Sequence, residues 1–223
     1  MNPKITLLAL GLAIAPVATA QVSLELPSSY VNTTTTGGLN DLPPNVEGSP
    51  YLNYTFTRGT VYIENEKPYP AMMRYNAYQD EIQVQGTDGL SSLFKRDYVS
   101  AVIGGDTFII AEYEGNYGTT KGYFIQLNRG EVQLLKRIRH EFREAEEATS
   151  SYSQGKPPRF DQEVTYYLIR EGSPAQEVRL RKKDILEFLS GNKAAEDYVK
   201  ENRLRLKSEE EVIQVLNRAN NAT

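Results

Sequence analysis

The 223-residue chain has no cysteine, no tryptophan and a single histidine. Without cysteine there are no disulfides, thiolate zinc sites, thiol nucleophiles or iron–sulfur clusters. A lipoprotein anchor is excluded too, because its acylation needs a cysteine at the cleavage point. Without tryptophan, a sugar-binding cleft lacks its largest stacking surface. With His140 as the only imidazole, metal sites built on several histidines and HExxH metalloprotease sites cannot form. A Ser-His-Asp triad would have to use His140, and no serine lies in a G-x-S-x-G motif. His140 therefore reads as a structural residue of a strand or helix.

Excess charge is also missing. Lys plus Arg number 25 and Asp plus Glu 29, a formal net charge of −4. A mildly acidic chain is a poor nucleic-acid binder, because that binding depends on basic patches neutralising phosphates. No nucleic-acid partner is expected. Beyond the leader described next, no apolar run approaches the ~18 residues of a membrane span, so no transmembrane helix is expected.

The leader is the most informative feature present. Met1–Lys4 carries one positive charge, and Ile5–Val17 is apolar apart from Thr6, Gly11 and Pro16. Ala18-Thr19-Ala20 is a small-x-small cleavage site. This order is that of a secretory signal peptide spanning residues 1–20. The mature chain should begin near Gln21, exported through the inner membrane to the periplasm or the cell exterior. Secreted eukaryotic domains of this size often use disulfides, so a thiol-free chain points to a bacterial envelope. Asn32-Thr33-Thr34 and Asn53-Tyr54-Thr55 match the glycosylation sequon, a match without consequence in that setting.

Residues 21–50 read as an extended or disordered N-terminal segment. Thr33–Thr36, Gly37-Gly38 and four prolines interrupt any regular element, although Val22, Leu24 and Leu26 alternate as a short edge strand would. Residues 51–180 read as an antiparallel β domain. Val61 and Ile63 alternate with Tyr62 and Glu64; Ala71–Tyr75, Glu81–Gln85, Tyr98–Ile103, Thr107–Tyr113 and Gly122–Leu127 follow as strands. Gly104-Gly105 is a two-residue hairpin signal. Glu131–Ala145 fits a helical stripe through Leu134, Leu135, Ile138 and Phe142, or a strand. The turn before it and the meander leading into it favour the strand. A surface loop at 149–158 precedes Glu163–Arg170 and a short partner strand, Glu177–Leu180. Fifteen tyrosines suit half-exposed sheet faces.

Residues 181–223 change period and read as a helical region packing on the sheet. Ile185, Leu186, Phe188 and Leu189 form one short amphipathic helix closed by Gly191, and Asn192 can cap a second. Ser208 with Glu211 forms a capping box for a third.

Candidate chemistry is sparse. Gly104-Gly105-Asp106 and Gly115-Asn116-Tyr117-Gly118 lack the lysine spacing of a P-loop and the dinucleotide fingerprint; no calcium loop is present. No cofactor and no metal are expected, and no catalytic residue can be assigned. Asp80-Glu81, Asp88 and Asp106 sit where turns favour Asp. Lys136-Arg137-Ile138-Arg139-His140 could hold an anion, but Glu141, Glu144, Glu146 and Glu147 beside it describe a self-neutralised surface. Arg181-Lys182-Lys183 is a second basic run.

Three stretches resemble an uncharacterised exported β-rich protein family of Bacteroidetes type. They are Gly59-Thr60-Val61-Tyr62 through Arg74-Tyr75-Asn76 and Asp80-Glu81-Ile82; Lys121-Gly122-Tyr123-Phe124 with Leu134-Leu135-Lys136-Arg137; and Lys183-Asp184-Ile185-Leu186 through Val199-Lys200-Glu201-Asn202 and Glu211-Val212-Ile213. The resemblance covers about residues 51–218. It implies a β-rich exported domain with a helical end and no assigned activity, and it favours strand for 131–142.

The expected fold is α+β: a curved antiparallel sheet or barrel-like meander of seven to nine strands with three short C-terminal helices. The expected core is Val61, Ile63, Ile82, Val84, Val102, Phe108, Ile110, Phe124, Ile125, Leu134, Ile138, Leu168, Phe188, Val199, Ile213 and Leu216. The leading functional expectation is a non-catalytic binding or structural protein of the cell envelope with a protein or cell-surface partner. The alternatives are a hydrolase built on two carboxylates, acting on a polysaccharide or peptidoglycan, and a carrier of a small lipophilic ligand.

Overall fold

The structure, a computed structural model, describes residues 26–33, 42–87, 89–115, 118–147 and 155–221. The alternation at Val22–Leu26 and Asp88 thus lie wholly or partly outside it, as does most of the 149–158 loop. Eleven antiparallel strands form one sheet: β1 (Val31–Thr33), β2 (Thr57–Ile63), β3 (Tyr69–Asn76), β4 (Glu81–Gly86), β5 (Gly89–Leu93), β6 (Val99–Ile103), β7 (Asp106–Gly115), β8 (Gly118–Gln126), β9 (Val132–Arg143), β10 (Arg159–Arg170) and β11 (Gln176–Val178). Their spatial order is β1-β5-β4-β3-β2-β6-β7-β8-β9-β10-β11. Two meanders are thus joined where β6 pairs with β2. The number exceeds seven to nine because β1 and β5 are short strands with weak or no alternation.

Period-2 patterning decides which side chains go inside. On the inner face lie Val61, Ile63, Met73, Tyr75, Ile82, Val84, Ala101, Ile103, Phe108, Ile110, Tyr123, Ile125 and Ile138, all under 9% exposed. Val102, expected in the core, is half-exposed on the outer face, because Ala101 and Ile103 take the inward positions of β6. Phe188 and Ile213 are likewise only partly buried. The sheet is strongly curved. Along its order β5 and β8 are six strand spacings apart, roughly 29 Å if flat. Yet the Tyr123 hydroxyl donates to the Leu93 carbonyl at 3.2 Å.

Residues 26–33 and 42–51 wrap this core. Leu26, Tyr30 and Val31 pack against it, β1 pairs with β5, and Glu47 bridges Arg159.

Three helices follow: α1 (Lys182–Phe188), α2 (Lys193–Glu201) and α3 (Glu209–Asn220). Asn192 caps α2 by accepting from the Ala195 amide at 3.0 Å. Ser208 caps α3 by accepting from the Glu211 amide at 3.3 Å. The reciprocal half of the capping box differs from expectation: Glu211 accepts from the Lys207 amide rather than from that of Ser208. Helices this short are unstable alone. They hold by burying Ile185, Leu189, Val199, Val212, Val215 and Leu216 against Val132, Leu134 and Leu168 of β9 and β10, at about 1.5–3 kcal/mol for each fully buried large side chain. Asn220, at the end of α3, accepts from the Val132 amide and donates to the Val132 carbonyl, both at 2.9 Å, so one side chain imitates a strand neighbour. Gly130 leaves the space: a Cβ there would lie 2.2 Å from Asn220 Nδ2.

The strand reading of 131–142 holds. β9 pairs with β10 at twelve positions but with β8 at only two, Ile125↔Lys136 and Gln126↔Leu135. Past Lys136 it leaves β8 and meets the β3–β4 turn, where the His140 amide donates to the Ala77 carbonyl at 3.2 Å.

Candidate functional site

The splay between β8 and β9 leaves strand backbone without a ladder partner, and Asp80 fills it. The β3–β4 turn holds Asp80 at φ +58°, a left-handed conformation that Asp tolerates better than most residues. Its carboxylate is 5% exposed. It accepts from the Tyr75 hydroxyl at 2.7 Å, from the Tyr123 amide of β8 at 3.3 Å and from Lys95 Nζ at 2.8 Å. The Arg137 guanidinium of β9 stands at 3.9 Å. Asp80 thus ties β3, β8 and β9 to the link before β6. Arg137 also lies 4.2 Å from the centre of the Tyr113 ring, a cation–π contact. Its Nε is buried without a hydrogen-bond partner among the described residues. Gly122 keeps this space open: a Cβ would meet Tyr113, Asp80 and Arg137 at 3.0, 3.2 and 3.5 Å.

Burial raises the Tyr75 and Tyr123 hydroxyls well above the usual tyrosine range, and the Asp80 charge adds to the effect. Burial also raises Glu81, the neighbour of Asp80. Apart from Arg137 Nε, the groups of this cluster answer one another.

The basic run at Lys136–His140 is divided by the strand's alternation. Lys136 faces the helices and pairs with Glu209 at 2.9 Å. Arg137 serves Asp80, and Arg139 donates to the Tyr78 carbonyl at 3.3 Å. His140 Nδ1 lies 2.7 Å from the Ser49 carbonyl and Nε2 lies 3.4 Å from Gln162 Oε1, fastening the 47–51 segment to the β9–β10 hairpin. No common anion site results. In the run 181–183, Arg181 pairs with Asp184 at 2.6 Å. Asp106 opens β7 at the Gly104-Gly105 hairpin.

Surface carboxylates gather at one place. Glu141 and Asp161 stand opposite each other across the β9–β10 ladder and share Arg143. Asp161 also pairs with Arg159 at 3.0 Å. Glu141, Arg143, Asp161, Gln162 and Glu163 line a shallow groove of about 350 Å³. Cross-strand neighbours point the same way from a sheet, so these two carboxylates stand side by side rather than on opposite walls. A second groove, about 230 Å³, lies between the α1–α2 connection, the end of α3 and β9. Among the described residues no group of three or more His, Asp or Glu side chains is placed to hold a metal, and no helix is long and apolar enough to cross a membrane.

The remaining feature is an exposed apolar face. On the outer side of the sheet lie Met72 of β3 and Tyr62 of β2, 40% and 46% exposed, and Tyr98, in the turn that leads into β6, is 44% exposed. Tyr62 pairs with Ser100, two positions from Tyr98, so the two tyrosines are diagonal neighbours. At the other end of β2 from Tyr62, next to Met72, Arg74 of β3 stacks on Tyr51 at 3.5 Å and Phe56 at 4.4 Å and donates to the Tyr54 carbonyl at 3.0 Å. That scaffold presents Tyr54, 73% exposed and edge-on to Tyr51. Sequence reasoning assigned tyrosines to sheet faces but did not single these out; side-chain parity in β2 was the available signal for Tyr62. Nothing marked Asp80, because its partners come from residues 75, 95, 123 and 137. Comparison of the chain with protein-family models, with curated proteins and with solved structures finds no match in any of the three.

Proposed function

We propose that the protein is an exported, non-catalytic binding protein of the bacterial envelope, with a protein or cell-surface partner held on the outer face of β3-β2-β6. The observation that carries this reading is the set Tyr54, Tyr62, Met72 and Tyr98, all 40% exposed or more, with Tyr62 and Met72 on the paired strands β2 and β3, Tyr54 in the segment before β2 and Tyr98 in the turn before β6. Tyrosine and methionine are enriched where proteins meet partners, because they offer large contact area at low ordering cost. The strands beneath are paired on both sides and the Arg74 stack fixes the Tyr54 loop, so little freedom is lost on binding. The leader at residues 1–20 supports the address.

The test is cross-linking and recovery from native envelope extracts with the mature protein and with a Tyr54→Ser/Tyr62→Ser/Tyr98→Ser variant. All three side chains are exposed, so the variant should melt within a few degrees of the parent. A partner protein or glycan should be recovered with the parent and lost with the variant. Recovery of nothing, or recovery unaffected by the substitutions, overturns the proposal.

A further inference from the structure

We propose that the free edge of β10, residues 161–165, is a second docking site, which accepts an extended basic peptide of a partner protein as an added strand. β10 is paired along its whole length to β9. On its other side the described residues cover only its two ends. Glu47 bridges Arg159 and accepts from the Phe160 amide at 2.9 Å, and β11 pairs with 166–168. Over these five residues, about 17 Å, Gln162 and Val164 turn their backbone N–H and C=O to the open side, in step with Phe160. Strand addition uses such an edge, with backbone bonds supplying affinity and flanking side chains supplying selectivity.

The flanking side chains select a cation. The groove over β9–β10 beside this edge is lined by Glu141, Asp161, Glu163, Gln162 and Arg143; Arg159 also pairs with Asp161, so three carboxylates stand against two guanidiniums, and Arg139, across the ladder from Glu163, is turned to the Tyr78 carbonyl. Arg143 and Arg159 engage Glu141 and Asp161, whereas Glu163 is exposed and has no ion pair among the described residues. The same charges disfavour a second copy of this chain. Antiparallel pairing of two such edges about their centre sets Glu163 against Glu163, a like-charge pair that destabilises a ladder. An incoming strand with Lys or Arg at alternate positions meets Asp161 and Glu163 on one face instead. This site is separate from the tyrosine face and does not depend on it.

The probe is a fluorescent ten-residue peptide of alternating Lys and Val, titrated by anisotropy against the full mature chain. It should bind and slow amide hydrogen exchange at 161–165. Glu163→Lys should weaken it at least about five-fold and Glu163→Gln less, since each exposed charge pair adds little; thermal melting checks that both variants fold. A Lys/Pro peptide of equal charge, unable to build a ladder, should bind at least about ten-fold more weakly. The Tyr54/Tyr62/Tyr98 serine variant should bind the Lys/Val peptide as the parent does, so this test fails or succeeds apart from the preceding one. Four results overturn the proposal: no binding, equal binding of a Glu/Val peptide, equal binding of the Lys/Pro peptide, or dimerisation of the protein through this edge in sedimentation.

Discussion

Replacing Asp80 tests how much of the fold depends on one carboxylate. In Asp80→Ala the Tyr123 amide is left buried without its acceptor, a loss of about 1–3 kcal/mol. The Tyr75 hydroxyl retains a long contact, 3.4 Å, to the Ile138 carbonyl and loses less. Arg137, 11% exposed, is left with its positive charge unanswered, and breaking a buried pair this way costs about 3–5 kcal/mol. Lys95 is 31% exposed and turns to water at little cost. Alanine at φ +58° adds about 1 kcal/mol. These losses overlap, and the expected total is about 4 kcal/mol. Asp80→Asn keeps the backbone preference and one acceptor but not the charge, and should cost about 2–3 kcal/mol. Urea unfolding followed by far-ultraviolet circular dichroism measures both, provided the m-value is unchanged. A cost under about 1 kcal/mol for Asp80→Ala, or a larger cost for Asp80→Asn than for Asp80→Ala, refutes the assignment of Asp80 as the tie between β3, β8 and β9.

Alkali should destabilise the protein through its buried tyrosines. Burial and Asp80 raise Tyr75 and Tyr123, and burial with Glu209 pushes Tyr166 up to about 12. The unfolded chain ionises near pH 10, so this stabilisation is complete below pH 10 and is lost as pH rises above it, by up to about 1.4 kcal/mol per pH unit per tyrosine. The urea midpoint should fall between pH 9 and pH 11, and Tyr75→Phe should shrink the fall; an unchanged midpoint contradicts the burial argument. Gly59→Ala should cost about 3 kcal/mol or more, because its Cβ would lie 2.2 Å from the Val102 carbonyl oxygen, a backbone atom that cannot turn aside. Gly104→Ala, at φ +62° with open space around it, should cost only about 1 kcal/mol; comparable urea midpoints for the two variants would contradict the steric account.

Elements with local signals were legible in the sequence. The alternation in Val61–Glu64, the Gly104-Gly105 turn, the Asn192 cap and the Ser208 cap each carry their own physics within a few residues, and each is where it was expected. β5 has only Leu90 and Leu93 to mark it, and β10 begins at Arg159 rather than Glu163 because Phe160 packs on Tyr78 and Phe142, contacts no local pattern reveals. Pro70 hides the start of β3, since proline argues against an interior strand. The Asp80 cluster was illegible for a stronger reason. An Asp in a turn is explained by turn chemistry alone, and only the departure of β9 from β8 gives this one a second role. The tyrosine face was half legible: parity placed Tyr62 outside, but Tyr54 depends on a hydrogen bond from Arg74, twenty residues away, to its carbonyl.

The change of partner halfway along β9 also constrains the order in which the molecule can be completed. The inner core is assembled from residues 61–125 plus Ile138, so its last wall is synthesised nearly eighty residues after its first. Until Arg137 and Ile138 arrive, Asp80 lacks its guanidinium and Tyr75 its carbonyl contact. A ribosome-tethered chain truncated before residue 137 therefore carries an unfinished half that no local rearrangement can close. Folding of the β2–β8 half waits on a strand that belongs equally to the helical end of the protein.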